Sequence, residues 1–400
     1  MLENKTVILG VSGGIAVYKA VELLRLLTKA GATVHVVMSK NAQEFVTPLT
    51  FQTLSGNPVH TELFNLYQEQ EIGHISLADR ADLFILAPAT ANLIGKIANG
   101  LADDLLSTSV MATKAPVLVV PAMNSNMYEN PLYQQNEKKL AEAGYQVMEP
   151  ATGELACGWL GKGKLPEPEL IFAAADAMLT AKDLSGCRVL VTAGPTREEL
   201  DPIRYLTNYS SGKMGYAVAA AAAARGASVT LVSGPTSLQT PYGVEVVPVR
   251  SAEQMRAAVL ECFAESDVVI KAAAVADYRP ARRGENKIKK TADEMTIELE
   301  KNPDILSELG TRKQEQVLVG FAAETESLLV HATEKLQKKG LDMIVANDVT
   351  AEGAGFDVDT NLVRFLFADG KVEELDLMRK EQVANRLLDQ VAELWQAKRQ

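Results

Sequence analysis

One mid-chain stretch concentrates residues able to handle anions: Val189 to Gly215, VLVTAGPTREELDPIRYLTNYSSGKMG. It opens as the buried strand Val189-Leu190-Val191 and turns at Ala193-Gly194-Pro195-Thr196. Ser210-Ser211-Gly212-Lys213 then leads into an alanine-rich helix. A strand that ends in small and hydroxyl residues ahead of a helix makes an anion site, because backbone N–H groups and the helix dipole converge there. Two such places flank one loop. Three single residues elsewhere could move protons or donate hydrogen bonds. His74 in EIGHISLA can take a proton at neutral pH, its unperturbed pKa being ~6.5. Asn124 in PAMNSNMY offers two N–H donors and carries no charge. Cys157 in GELACG carries a thiol that is mostly an acid at pH 7, with a pKa of ~8.5. Each also reads as ordinary structure: a helix-start His, an Asn turn, a buried thiol. A cationic segment follows Asp277, with Arg279, Arg282, Arg283, Lys287, Lys289 and Lys290 set against Glu285 alone.

The elements that must carry these residues repeat. Val7-Ile8-Leu9 runs into Gly10-Val11-Ser12-Gly13-Gly14, then a helix with Val17, Ala20, Val21, Leu24 and Leu27 at spacings of three and four, then the strand 32–37. Val189-Leu190-Val191, a helix over 214–225 and the strand 227–232 follow the same order. ADLFILAP at 81–88 matches SDVVIKAA at 266–273. Both halves read as β–Gly loop–α–β units, hence an α/β fold with two Rossmann-like domains of parallel sheet. Pro166 and Pro168 precede a helix over about 169–181, with 182–186 as the linker, which divides the chain into domains 1–185 and 186–400. The segment 380–397 reads as a closing amphipathic helix.

Gly10–Gly14 is not GxGxxG, and Met38-Ser39-Lys40 stands after the second strand where a dinucleotide fold places an acid. The pattern therefore favours a mononucleotide, its phosphate met by Ser12, Gly13, Ser39 and the first helix. A net charge of −11, with no aromatic interleaving of the basic segment, argues against a nucleic-acid partner. Three cysteines without a CxxC fit a reducing compartment and no structural zinc. No run of about 18 apolar residues is found, and the start, MLENKTVILGVSGG, lacks a cationic leader, so cytoplasmic placement is expected.

On these residues the chain is identified as a member of a known group. Val189 to Gly215 resembles the signature of phosphopantothenate–cysteine ligases. The preceding half resembles the phosphopantothenoylcysteine decarboxylase flavoproteins, which adds a flavodoxin-like label to the first domain. Nearly the whole chain is similar to the bacterial bifunctional enzymes of coenzyme A biosynthesis. The resemblance implies FMN held at Ala87, Thr90 and Asn92 in APATANLIGKIANG. It makes His74 the base, Asn124 in a PxMNxxMW-like motif the carboxylate holder, and Cys157 the proton donor on a substrate flap. Tyr128 replaces the motif's Trp, and Trp159 and Lys164 stand where the flap often has an acid and an Arg. The implied reaction moves a hydride from the cysteinyl carbon bearing sulfur to the flavin, loses carbon dioxide, and returns the hydride while Cys157 gives a proton.

For the second half the resemblance implies CTP-dependent ligation through an acyl-cytidylate, with Mg²⁺ whose ligands are not identified. It places nucleotide contacts at Lys271, Ala272 and Ala273, at Asp277, at Lys287, in Lys301-Asn302-Pro303-Asp304-Ile305-Leu306, at Phe321, and at Lys335 and Lys339. Lys287 becomes the catalytic lysine, and Asn208 serves the acyl-nucleotide. It implies 4'-phosphopantothenate, cysteine and CTP as substrates, no membrane, and a homo-oligomer with trimeric decarboxylase and dimeric ligase contacts. Two other readings share some of these features: a flavoprotein acting as an interaction subunit, and a different flavin enzyme with an unrelated second domain. The joint presence of His74, Asn124, Cys157 and Lys287 argues against the first of them.

Overall fold

The short apolar runs and the amphipathic segments alternate as strand and helix along the whole chain. The computed structural model describes residues 2–63, 73–156, 158–289, 295–324, 328–348, 353, 355 and 357–399. Two units result, Met1–Thr180 and Ala181–Gln400. The first runs β1 (Thr6–Val11), α1 (Val17–Lys29), β2 (Thr33–Met38), α2 (Pro48–Ser55), β3 (Val59–His60), α3 (Gly73–Arg80), β4 (Leu83–Ala89) and α4 (Ala91–Ala98). It continues with α5 (Leu105–Ala112), β5 (Val117–Pro121), α6 (Ser125–Tyr128), α7 (Pro131–Glu142), β6 (Gln146–Val147), the hairpin β7 (Ala151–Glu154) and β8 (Leu160–Lys164), and α8 (Pro168–Leu179). The sheet is parallel throughout, in the order β3-β2-β1-β4-β5-β6. All of β4 is buried, as a strand with helices on both faces must be. α1 starts without a side-chain cap, a feature worth about 1 kcal/mol. Leu23, Leu24 and Leu27 are fully buried on its inner face. At roughly 1.5–3 kcal/mol for each such side chain, packing, not capping, fixes this helix.

The second unit opens with β9 (Arg188–Ala193), the hairpin β10 (Arg197–Glu199) and β11 (Tyr205–Thr207), α9 (Lys213–Ala224), β12 (Ser228–Ser233), β13 (Val244–Pro248), α10 (Ala252–Phe263) and β14 (Val268–Lys271). Then come β15 (Tyr278–Pro280), β16 (Leu299–Lys301), α11 (Ile305–Arg312), β17 (Val317–Glu324), α12 (Leu328–Lys338) and β18 (Met343–Asp348). β19 (Thr360–Asn361), β20 (Val363–Phe367), β21 (Val372–Glu374), β22 (Met378–Arg379) and α13 (Lys380–Lys398) complete it. The sheet order is β13-β12-β9-β14-β17-β18-β20-β21. Its first six strands are parallel. They repeat the 3-2-1-4-5-6 order of the first unit, so the sequence echo is an echo of topology. β20 and β21 add an antiparallel edge that the sequence pattern did not foretell. α13 buries Val383, Leu387, Val391 and Trp395.

The segment read as a linker is packed into the second unit. Leu184 is fully buried in its core beside Cys187, and the Leu184 N–H donates to the Arg225 carbonyl at 3.1 Å. Arg225, itself buried, pairs with Asp183 and, at 2.8 Å, with Asp389.

Candidate functional sites

In a doubly wound sheet the strand order reverses between its first and fourth strands, and the crevice beyond their carboxyl ends receives ligands. In the first unit that place lies between β1 and β4. Ser12 ties the two strand ends together. Its N–H and Oγ both donate to the Pro88 carbonyl, at 3.2 and 2.7 Å, and its Oγ accepts from the Thr90 N–H at 2.9 Å. With its donors committed, Ser12 shapes the crevice, and donation to an anion falls to the Gly13–Gly14 turn and the start of α1. A Cβ on Gly13 would lie 2.4 Å from Asn41 Cβ, so only glycine lets the turn pass there. Ser39 begins a 3-10 turn, and its N–H donates to the Val11 carbonyl at 3.0 Å. Ala87 is fully buried, Thr90 caps α4 through the Leu93 N–H at 3.4 Å, and Asn92 is exposed in its first turn. Lys96 pairs with Asp103 at 2.7 Å and Asp104 at 3.0 Å, and Asp104 caps α5. The small-residue walls, the thin turn and the adjacent helix start fit a flat ring carrying a phosphate.

Asn124 caps α6 with its carbonyl oxygen, which accepts from the Asn126 N–H at 2.9 Å. A carboxylate would therefore meet the amide nitrogen. The hairpin β7–β8 is seated on this turn: the Met123 N–H donates to the Gly163 carbonyl at 3.0 Å. Gly163 has φ +135°, and a Cβ there would come 2.3 Å from the Met123 carbonyl oxygen. Lys162 pairs with Glu149 and stands 5.4 Å from the Tyr128 ring, which is buried. Trp159 and Leu160, at 52% and 83%, are exposed near the hairpin tip. His74 lies in the first turn of α3, its side chain outside the described residues, as is all of Cys157.

In the second unit a cavity of about 530 Å³ lies at the carboxyl ends of β14, β17 and β18. Thr207 to Gly215, Lys271 to Val275, Phe321 and Asn347 line it. Its walls are clamped together. The Asn208 amide donates to the Ala274 carbonyl at 3.1 Å, the Ala274 N–H to the Gly194 carbonyl at 3.0 Å, and the Ala276 N–H to Thr196 Oγ1 at 3.0 Å. The loop Ser210-Ser211-Gly212 ends at α9, whose first residue, Lys213, pairs with Asp359 at 2.8 Å.

Asn208, Lys271, Ala272, Ala273 and Phe321 thus share one cavity. A charged group adjoins it through Lys271. Burial, and next the nearby Lys339, push the Lys271 amine down to about 8, while Asp304 and Asp277 oppose them. Lys339, one residue past α12, pairs with Asp304 at 2.8 Å, and Asp304 caps α11. Ile305 and Leu306 turn their side chains into the core, which leaves backbone groups to meet a ligand after Pro303. Lys335 is exposed on α12. Lys287 is exposed on a loop, away from the cavity lining. Lys290 lies outside the described residues.

Asn361 and Lys380 are among the cavity residues that sequence reasoning missed. Asn361 is buried, and Lys380, also buried, donates to the Gly355 carbonyl at 3.1 Å. Nothing in their local patterns marks them, since one sits in a two-residue strand and the other begins an amphipathic helix. Among the described residues no three His, Cys, Asp or Glu side chains gather as metal ligands. No step is assigned to a protein-bound metal.

Two doubly wound units, one with a glycine-lined crevice and one with a strand-end cavity, define a flavoprotein domain followed by a second α/β domain. Residues 1–180 match the family model described as Flavoprotein. Residues 184–394 match the model of the DNA/pantothenate metabolism flavoprotein C-terminal domain. The chain belongs to the family of coenzyme A biosynthesis bifunctional proteins. It is 52% identical over 398 residues to the Coenzyme A biosynthesis bifunctional protein CoaBC of Bacillus subtilis (strain 168), covering 98% of each chain. It is 48% identical over 395 residues to that of Escherichia coli (strain K12), covering 98% of this chain and 97% of the other. A solved C-terminal domain of a Coenzyme A biosynthesis bifunctional protein CoaBC is 46% identical, with a TM-score of 0.48, over 54% of this chain and all of that one.

Proposed function

We propose that the chain performs two consecutive steps of coenzyme A biosynthesis. The second unit joins cysteine to 4'-phosphopantothenate at the expense of CTP, through an acyl-cytidylate. The first unit then decarboxylates 4'-phosphopantothenoylcysteine to 4'-phosphopantetheine with FMN. The observation that carries this reading is the pairing, in a chain of this family, of the β1–β4 crevice with the cavity that joins Asn208 to Lys271 and Phe321. When bound, FMN supplies reversible hydride acceptance. The protein's part is to orient and exclude water. Gly13 lets the phosphate approach the backbone. The Asn124 amide holds the substrate carboxylate without cancelling the charge that must leave as carbon dioxide. The β7–β8 hairpin covers that turn, His74 takes a proton, and Cys157 returns one.

In the ligase unit the cations Lys271, Lys287, Lys335 and Lys339 offset the charge of the triphosphate, which arrives with Mg²⁺. Asp277 and the backbone around Pro303 and Asp304 hold the nucleotide, and Phe321 packs its base. Lys287 acts as pyrophosphate leaves. Asn208 acts later, on the acyl oxygen that gains charge as cysteine attacks. We place the protein in the cytoplasm as a homo-oligomer with trimeric decarboxylase and dimeric ligase contacts. Exposed Ile15, Tyr18, Phe45 and Leu49 support an interface on the first unit.

The test supplies 4'-phosphopantothenate, CTP and Mg²⁺, without and then with cysteine, and follows quenched reactions by mass spectrometry. Lys287→Gln is expected to give no acyl-cytidylate. Asn208→Asp is expected to form it and leave it unconsumed, since an anion there repels the developing oxyanion. Turnover with ATP in place of CTP, or a common stalled species in both variants, contradicts the reading.

A further inference from the structure

Asp201 sits at the tip of the β10–β11 hairpin and is 1% exposed. Its Oδ1 accepts from the N–H groups of Ile203 and Arg204, at 2.9 and 2.8 Å. Those two bonds are all that a turn of this kind requires of its Asp. Oδ2 does something else. It accepts from Arg204 Nε and Nη2, at 3.1 and 2.6 Å, and from the Ile288 N–H at 3.1 Å, 87 residues further along the chain. Arg204 Nη2 also donates to the Ile288 carbonyl at 3.0 Å. The backbone of Ile288 is thus gripped on both sides, its N–H by a carboxylate and its carbonyl by a guanidinium. Beside this grip the Gly284 N–H donates to the Leu200 carbonyl at 2.9 Å, and Arg283 pairs with Glu199 at 2.6 Å.

The peptide whose N–H Asp201 holds is the one that joins Lys287 to Ile288. Its plane sets the backbone of Lys287 and so the direction in which that side chain leaves the loop. An exposed segment with this many cations has little apolar surface to fix it, and like charges push it outward. The guanidinium of Arg204, followed by the backbone donors, holds the Asp201 carboxyl far below the usual carboxylate range, so the grip stays charged at working pH.

We infer that Asp201, with Arg204 as its partner, is a positioning residue for Lys287: the hairpin tip fixes the Lys287–Ile288 peptide so that the amine is presented to the phosphates of the nucleotide. This rests on the role given to Lys287 above. Asn208 is anchored separately, through Ala274, and so escapes the loss of this grip.

The experiment uses the full chain with Asp201→Ala, Asp201→Asn and Lys287→Gln. Acyl-cytidylate formation from CTP and 4'-phosphopantothenate is followed without cysteine, together with trypsin cleavage after Arg282, Arg283, Lys287 and Lys289. Thermal unfolding of the full chain, read by its second-unit transition, reports that the unit carrying Asp201 is folded. Asp201→Ala is expected to slow acyl-cytidylate formation about 10- to 100-fold, the usual range for a lost supporting partner, mainly in kcat and not in the KM for CTP. Trypsin should cut the loop faster. Asp201→Asn, nearly isosteric, should fall between Asp201→Ala and the parent chain, and carries the same test should Asp201→Ala not fold. A parent rate in Asp201→Ala or unchanged cleavage would overturn the inference. If Lys287→Gln itself leaves acyl-cytidylate formation intact, the role of Lys287 falls and the inference with it. If Lys287→Gln blocks that step and Asp201→Ala does not slow it, only the inference falls.

Discussion

Lys271 ends β14 beside another cation, Lys339, and burial adds to their mutual repulsion, so its amine titrates near 8. Below that pH it is charged, and above it neutral. A triphosphate favours the charged form and pulls the pKa back up, so nucleotide binding must take up a proton between the two values. Calorimetry of CTP binding in two buffers of different ionisation heat should show proton uptake at pH 8.5 and little at pH 6.5. Affinity should fall by up to about tenfold per pH unit above the free-protein pKa. Equal uptake in Lys271→Met would assign the proton to another group. His74→Asn makes a second test at this scale. It should abolish carbon dioxide release and leave flavin bound and ligation intact, read by absorbance near the flavin bands and by the two separate assays. Of the residues that the sequence singled out, Asn208, Lys271 and Phe321 come together in one cavity. Asp201 was not among them, because DPIR reads as a turn and nothing local tells that its second oxygen reaches Ile288.

The β7–β8 hairpin shows what an element contributes. It rests on Met123 through a glycine that has positive φ and no room for a Cβ. Gly163→Ala should cost roughly 1–3 kcal/mol of local strain and lift the hairpin from the Asn124 turn. Decarboxylation should drop at least about tenfold, one such energy step being 1.4 kcal/mol, while ligation in the same preparation stays unchanged. Unaltered decarboxylation would show that the hairpin's seat is irrelevant to turnover. The glycines Gly153 and Gly158 suggested a flexible flap there, and the structure forms the β7–β8 hairpin around it. Its seating was not, since contacts between Gly163 and Met123 depend on how the chain returns. The same holds for α1 and α9. Their apolar spacing gave helix and inner face, with ends shifted by one or two residues because backbone bonds, not side-chain caps, close them.

At the scale of the molecule, the repeat of Gly loop, helix and strand was legible because parallel strands covered on both faces must be short, apolar and separated by helices. The antiparallel edge β20–β21 was not, since the outermost strand, Val372-Glu373-Glu374, is only three residues long and such a short charged run resembles many surface segments. Two sites in two separately folded units imply that the intermediate can pass through solution. A mixture of His74→Asn and Lys287→Gln chains should therefore make 4'-phosphopantetheine from 4'-phosphopantothenate, cysteine and CTP, although neither does so alone. No product from the mixture, with each chain retaining its one activity, would require direct transfer inside a chain. The place where the units divide has a consequence of another kind. Leu184 and Cys187 belong to the second core, and α8 closes at Leu179. A break in the coding sequence between Thr180 and Ala181 would take no side chain from either core. The same break moved to Arg188 would strand both buried residues on the wrong product. The two activities could thus be encoded by separate genes, but only if the reading frame were split within those few codons.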